Sequence, residues 1–351
     1  MWAERIIDAV ARGEIITGVD LANLDLPGAR LSGGIFEKVS FRGCKLRGAT
    51  FKESSLIDCD LSGADLTGAN LQHVKMTDPN LEDAVLVEAN LIGARMIKPR
   101  LARADLGRAN LTIAGLIAPD LTGASLVGAK LDRAALLDAI AAGLDLRGAE
   151  LDRTVLLKCD LTTAKLTGAV CKNANFIGSR LTGQDLTGMR LGQTQFMDGD
   201  LAGCQLGGAD LAQCNFKGAN LAGANLDGAR LYQALFAEAK LTGASLKGAA
   251  LRHTVWLKAT LDGADLSNAD LFESVLSETR CDRTRFNGAD LSYCDFSHAD
   301  ISRADFSKAT LFRTKFHGTR EEGTIFTDRS AALGNDELLA EAERWSPEPT
   351  R

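Results

Sequence analysis

Residues 64–71 read Ala64-Asp65-Leu66-Thr67-Gly68-Ala69-Asn70-Leu71, and the same order returns much later as Ala219-Asn220-Leu221-Ala222-Gly223-Ala224-Asn225-Leu226. A leucine recurs after five residues, with alanine two places before it and Asp or Asn one place before it. Followed outward, this spacing runs from Leu21 to Phe326 without insertion or deletion, giving 62 units. Every unit centre is large and apolar except Ala141, Cys171, Cys281 and Glu321. A period of five fits neither the 3.6 of a helix nor the 2.0 of a flat strand, so the chain must turn a corner once per unit.

A longer period is laid over the short one. Phe176, Phe196, Phe216, Phe236, Trp256, Phe296 and Phe316 are separated by multiples of twenty, interrupted by Leu276, and Pro79, Pro99 and Pro119 also repeat at twenty. Four units therefore make one coil with four walls, which we number by their centres: first (Leu21, Phe41), second (Leu26, Leu46), third (Leu31, Phe51) and fourth (Phe36, Leu56). The fourth wall is expected to carry an internal aromatic ladder. Two residues after the centre, Gly is frequent on the first and second walls and sparse on the third and fourth. Because Gly suits positive φ, two adjacent walls are expected to use a glycine-demanding turn and the other two not.

These repeats closely resemble those of the pentapeptide-repeat family, over about nine-tenths of the chain. The resemblance implies an all-β fold, a right-handed, four-sided parallel β-helix of about fifteen coils. The centre and the small residue two before it would point inward, and the other three positions outward. Strands in such a stack lie about 4.8 Å apart and each coil touches only its neighbours, so residues 17–328 are expected to form one domain. Open ends of a stack invite covers. Residues 1–16 place Trp2, Ile6, Ile7 and Val10 at helical spacing, an amphipathic cap. In 329–351, Asn335-Asp336 can start a short helix through Leu338, Leu339, Ala342 and Trp345 that plugs the far end or dimerises, followed by a frayed Pro-containing tail.

All eight cysteines fall at inward positions: Cys171 and Cys281 at centres, and Cys44, Cys59, Cys159, Cys204, Cys214 and Cys294 where alanine usually stands. With no C-x-x-C pair they read as small apolar side chains. His298 and His317 lie outward on neighbouring coils with Glu278 one coil away, a donor set a metal could use; solvated surface histidines are the simpler reading, and no metal or cofactor is expected. Asp290, Asp295, Asp300 and Asp305 each precede a centre on a different wall, where Asx hydrogen bonding supports turns. The pairs Asp132-Arg133 and Asp152-Arg153 should stack and neutralise one another. Leu144 is expected to replace the volume missing at Ala141, and Gln184, at an inward position, needs a polar partner.

Lys+Arg total 40 against 46 Asp+Glu, a net charge of −6. That balance excludes a strongly basic nucleic-acid binder, so direct nucleic-acid binding is not expected. No membrane span or secretory signal is recognisable, which points to a cytoplasmic protein. An unbroken repeat offers no concave site, so no enzyme is expected.

The outward feature that stands apart lies just after the fourth-wall centres: Ile57, Thr77, Ile97, Ile117, Leu137, Leu157, Ile177 and Met197. Ile97 to Met197 form six consecutive apolar positions, flanked by Ala135, Val155 and Ala118 and rimmed by Arg95, Lys98, Asp138, Lys158 and Asp198. β-branched residues favour strands, but no other wall has such a run. It reads as a docking strip for a protein partner, or for a second copy of the chain. The resemblance implies two further readings. Some family members mimic DNA and bind gyrase or topoisomerase IV, although those relatives are shorter and more acidic. Others accompany bacterial type VI secretion, as components or effectors.

Overall fold

A computed structural model describes residues 2–344, with side chains from Glu4 onward; the expectations for the Trp2 side chain, Trp345 and the tail lie outside the described residues. The chain forms two compact units, Met1–Leu181 and Thr182–Arg351. Each is a parallel β-solenoid in which bridges join residues twenty apart, as in Asp25↔Lys45, Lys45↔Asp65 and Gln205↔Asn225.

Unit 1 opens with helix α1 (Trp2–Ala11), whose Ile6 is buried against the first coil. The helix ends at Gly13 (φ 71°): Gly13 N–H donates to the Val10 carbonyl (2.9 Å) and Glu14 N–H to the Ala9 carbonyl (3.0 Å), a Schellman closure. On the fourth wall run eight short strands, β1 (Ile15–Thr17), β2 (Ile35–Glu37), β3 (Ser55–Ile57), β4 (Lys75–Thr77), β5 (Arg95–Ile97), β6 (Gly115–Ile117), β7 (Ala135–Leu137) and β8 (Val155–Leu157). They form one parallel sheet in sequence order.

The corners correct one expectation. Left-handed φ occurs two residues after the centre on all four walls, at Asn23 (61°), Lys38 (52°), Glu53 (61°), Glu88 (58°) and even the β-branched Ile113 (54°). Glycine is thus a convenience rather than a requirement. The N–H of that residue is held by the carbonyl before it in the next coil, as in Asn23→Arg42 (2.8 Å) and Gly28→Arg47 (2.8 Å), and this ladder over-determines a conformation that costs a lone L-residue roughly 1–2 kcal/mol.

The walls differ in a separate way. On the first three, the N–H three residues after the centre donates back to the centre's carbonyl, as in Cys44→Phe41 (3.0 Å), Ala49→Leu46 (3.0 Å) and Ser54→Phe51 (3.0 Å), the pattern of a type II turn. On the fourth wall, among the described residues, no such bond closes the corners from Phe36 to Leu156; it begins at Ser179→Phe176 (3.0 Å) and continues in unit 2 with Ala219→Phe216 (2.9 Å) and Ala239→Phe236 (3.0 Å). Pro79, Pro99 and Pro119 occupy the open corners, where a residue without N–H loses nothing.

In unit 2 the expected ladder is present. Phe196 stacks on Phe216 (5.1 Å), Phe216 on Phe236 (4.9 Å) and Phe236 on Trp256 (4.0 Å). Trp256 Nε1–H donates to Thr254 Oγ1 (2.7 Å), so the one polar atom of the ladder is satisfied inside the core. A second stack on the second wall, Phe286–Phe306–Phe326 (4.9 and 5.1 Å), meets Phe296–Phe316 edge to face. Strands β9 (Asp305–Phe306) and β10 (Ile325–Phe326) pair there. Glu321, the polar centre, ion-pairs with Arg329, whose guanidinium lies 4.8 Å over Phe316 and 4.9 Å over Phe326 and covers the end of both stacks.

Helix α2 (Glu337–Arg344) follows, with Asp336 Oδ1 capping the Leu339 N–H (3.1 Å). It does not plug the stack with its leucines as expected: it has no buried residue, and Leu338 is 80% exposed. Arg329 already covers the aromatic end, and polar contacts hold the helix. Elsewhere the core follows the repeat: Ala141 and Leu144 are both fully buried, and Gln184 is half-buried.

Candidate functional site

The outward strip is assembled by the register of unit 1. Ile57 pairs with Thr77, Thr77 with Ile97, Ile97 with Ile117, Ile117 with Leu137 and Leu137 with Leu157, one above another along β3 to β8. The strand geometry that buries Leu56, Met76, Met96, Leu116, Leu136 and Leu156 turns their neighbours out. Ile97 and Ile117 are 43% and 47% exposed, and Leu137, Leu157 and Val155 are half-buried. Arg95, Lys98 and Lys158 stand at the rim and make no ion pair among the described residues. Ile177 is half-buried in a closed turn beyond the last strand, and Met197, half-buried, belongs to unit 2.

Gly115 gives the strip relief. A Cβ built there meets nothing within 4 Å, and its missing side chain leaves a hollow of about 300 Å³ walled by Arg95, Ile97, Ile117, Ala135 and Leu137. The apolar column is legible in the sequence, but this notch is not. Nor is Ile140, 59% exposed around the adjoining corner, because it stands between Asp120 and Asp160 in its own ladder. A second hollow, of about 440 Å³, lies between α1 and the first coil. Its charged lining includes the exposed Arg12–Glu14 pair (2.7 Å), and it contains no histidine, cysteine or hydroxyl beyond Thr17.

The histidine pair gains a different third member. His298 Nε2 lies 3.1 Å and His317 Nε2 3.2 Å from the Glu343 carboxylate of α2, whereas Glu278 ion-pairs with Lys258 (3.5 Å). Two imidazoles and a carboxylate suit a transition metal, but the donor set fails one test. The Asp336 backbone N–H donates to His317 Nδ1 (3.1 Å). That bond places the ring's hydrogen on Nε2, toward Glu343, where a metal would need a lone pair. The trio is a clasp that docks α2. Its hydrogen bond from His317, then that from His298 against some desolvation, holds the Glu343 carboxyl below its ordinary range.

The acidic run and the Asp132 arginine cluster are structural. Asp290, Asp295, Asp300 and Asp305 accept the N–H groups of Ser292 (3.0 Å), Ser297 (2.8 Å), Ser302 (3.1 Å) and Ser307 (2.8 Å), the expected Asx turns. Asp132 receives both Arg133 (2.9 Å) and Arg153 (2.7 Å).

A family model described as pentapeptide repeats (8 copies) matches residues 15–52, 44–78, 80–112, 120–156, 145–183, 155–193, 174–213, 200–236, 239–277 and 279–318. The chain belongs to the pentapeptide-repeat family. Among solved structures, this pentapeptide-repeat protein is similar to HetL, involved in heterocyst differentiation regulation in the cyanobacterium Nostoc sp. strain PCC 7120, at 22% identity over 89% of this chain and 95% of that one, with a TM-score of 0.20. It is similar to a trypsin-treated variant of QnrB1, a plasmid-mediated fluoroquinolone resistance protein, at 18% identity over 67% of this chain and 99% of that one, TM-score 0.25. A pentapeptide repeat protein of the Arabidopsis thaliana thylakoid lumen is 31% identical over 30% of this chain and 72% of its own, TM-score 0.23. No curated protein matches the sequence. No helix among the described residues is long and apolar enough to cross a membrane.

Proposed function

We propose that this pentapeptide-repeat protein is a non-enzymatic binding module of the cytoplasm whose fourth wall in unit 1 docks a protein partner. The observation that carries the reading is the unbroken outward column Ile97–Ile117–Leu137–Leu157 with the Gly115 notch in its middle. A flat aliphatic column supplies the water-excluding core of an interface, and a notch of that size receives one protruding apolar side chain, the usual form of an anchor. Arg95, Lys98 and Lys158, free of ion pairs among the described residues, fit the polar rim that sets orientation. Ile177 extends the column, and Met197 is the corresponding residue of unit 2.

Replacing Ile117 and Leu157 with Asp and Leu137 between them with Lys should abolish partner capture or self-association and leave the circular dichroism spectrum and melting temperature nearly unchanged, because all three lie outside the core and the introduced charges alternate in sign along the ladder. Filling the notch with Gly115→Leu should weaken capture without adding charge. If sedimentation and affinity capture from the native host are the same for wild type and both variants, the wall is not a docking surface.

A further inference from the structure

The third wall of unit 2 carries a second outward pattern, made of rings rather than branched aliphatics. Immediately after the centres, successive coils present Tyr232, Arg252, Phe272, Ser292 and Phe312, so ring and polar side chain alternate. One position further on they present Gln233, His253, Glu273, Tyr293 and Arg313, alternating in the opposite phase. The result is a checkerboard that repeats every second coil.

Its rings interlock across coils. Tyr232 meets His253 at 5.3 Å, His253 meets Phe272 at 6.1 Å, Phe272 meets Tyr293 at 5.5 Å and Tyr293 meets Phe312 at 5.4 Å, all edge to face. The core does not need them: Leu231, Leu251, Leu271, Leu291 and Leu311 fill the interior of the same wall. Tyr232, Tyr293 and Phe312 are 44%, 43% and 49% exposed. Between the rings stand planar hydrogen-bonding groups. The Arg252 guanidinium lies 4.7 Å over Phe272 and 3.3 Å from Asp270, and His253 Nδ1 is 3.3 Å from Glu273.

Three properties narrow the ligand. Arg230, Arg252 and Arg313 balance Asp270, Glu273 and Asp290 on this wall, so it lacks the positive groove that accompanies stacking platforms for single-stranded nucleic acid. Four coil steps make the track about 19 Å long and one wall wide, and polar side chains interrupt its rings at every second position, so it lacks the continuous apolar core of a protein interface. Its two-coil repeat, about 9.6 Å, asks for a straight, flat polymer whose own repeat is comparable and whose apolar and polar parts alternate. A β-1,4-linked pyranose chain has that form: each sugar is turned over relative to the last, so the repeat is a disaccharide, with C–H faces for rings and hydroxyls for carboxylate, amide and guanidinium groups. We propose that the third wall of unit 2 binds a β-1,4-linked polysaccharide along the Tyr232–Phe312 track, covering about four sugars.

The test uses the full-length chain and calorimetric titration with cello- and chito-oligosaccharides of two to six sugars, which separate glucose from N-acetylglucosamine polymers. Affinity should rise up to the tetrasaccharide and then level off. Tyr232→Ala with Phe312→Ala should lower hexasaccharide affinity at least tenfold, and Phe312→Leu, which keeps bulk without the ring, should lower it too, while Ile117→Asp on the fourth wall of unit 1 should not. Absence of binding by both series at millimolar concentration overturns the proposal. So does binding that ignores the ring variants or the number of sugars, or tighter binding of a single-stranded oligonucleotide or a proline-rich peptide than of either hexasaccharide.

Discussion

At the inward position two residues before each centre, the side chain must be small, and the structure shows why Cys, Ser and Thr serve where alanine is the rule. Each can donate to a centre's carbonyl twenty-three residues back: Ser54 Oγ to Leu31 (2.7 Å), Thr154 Oγ1 to Leu131 (2.7 Å), and the thiols of Cys44 to Leu21 (2.9 Å) and Cys214 to Leu191 (3.0 Å). A buried hydroxyl or thiol is therefore not stranded. All eight cysteines are free and buried, and desolvation pushes their thiols up, Cys159 and Cys204 to about 11 and Cys171 and Cys281 to about 12. Thiolate, the reactive form, is suppressed near neutrality. Ellman's reagent should accordingly find almost no thiol in the native protein at pH 8 and all eight in denaturant; a fast-reacting equivalent in the native state would contradict this burial.

At the scale of the corner, the fourth wall of unit 1 and the other three walls make opposite demands on one N–H. Ala139 follows Leu136 at an open corner and stacks in sequence register after Pro79, Pro99 and Pro119, whereas Ala104 donates its N–H to the Leu101 carbonyl (3.0 Å). Ala139→Pro should leave stability unchanged or raise it by up to about 1 kcal/mol through the unfolded chain. Ala104→Pro should lower it by about 1 kcal/mol or more through the lost bond and the clash that follows. Urea denaturation of the two variants checks both, and equal losses would mean the corners do not differ. The prolines thus carried more information than the glycines. Position modulo twenty placed the Phe196–Trp256 stack, the Asx carboxylates and the fourth-wall column, because stacking turns sequence interval into spatial neighbourhood. Glycine columns misled because they register how easily a corner is made, while the ladder imposes left-handed φ on Ile113 and Tyr293 as well. The Glu343 clasp was illegible because Glu343 lies outside the repeat, 26 and 45 residues from the two histidines it joins. The ring track escaped because its forty-residue period is split between two outward positions.

Across the whole chain, the carboxylates before the centres give stability a pH dependence. The Asp160 carboxyl is held below its ordinary range chiefly by the Thr162 hydroxyl (2.7 Å), against some desolvation and with help from the Thr162 N–H and Arg180. Asp185 is lowered in the same way by Thr187, and Asp145 chiefly by Arg147. A carboxyl whose folded pKa lies below its unfolded value of about 3.9 contributes stability that is fully present above that value and is lost as pH falls through the folded one. The urea midpoint should therefore change little from pH 7 to pH 5 and fall steeply below about pH 4. Salt separates the causes. Ion pairs such as Arg180–Asp160 (2.8 Å) are exposed and screened, whereas hydroxyl and backbone N–H donors are uncharged and keep their preference for the ionised form in roughly 1 M salt. The acid loss should persist there nearly undiminished; its disappearance in salt would assign it to surface charge pairs, and a midpoint at pH 3 equal to that at pH 7 would remove the carboxylates from the stability of the solenoid altogether.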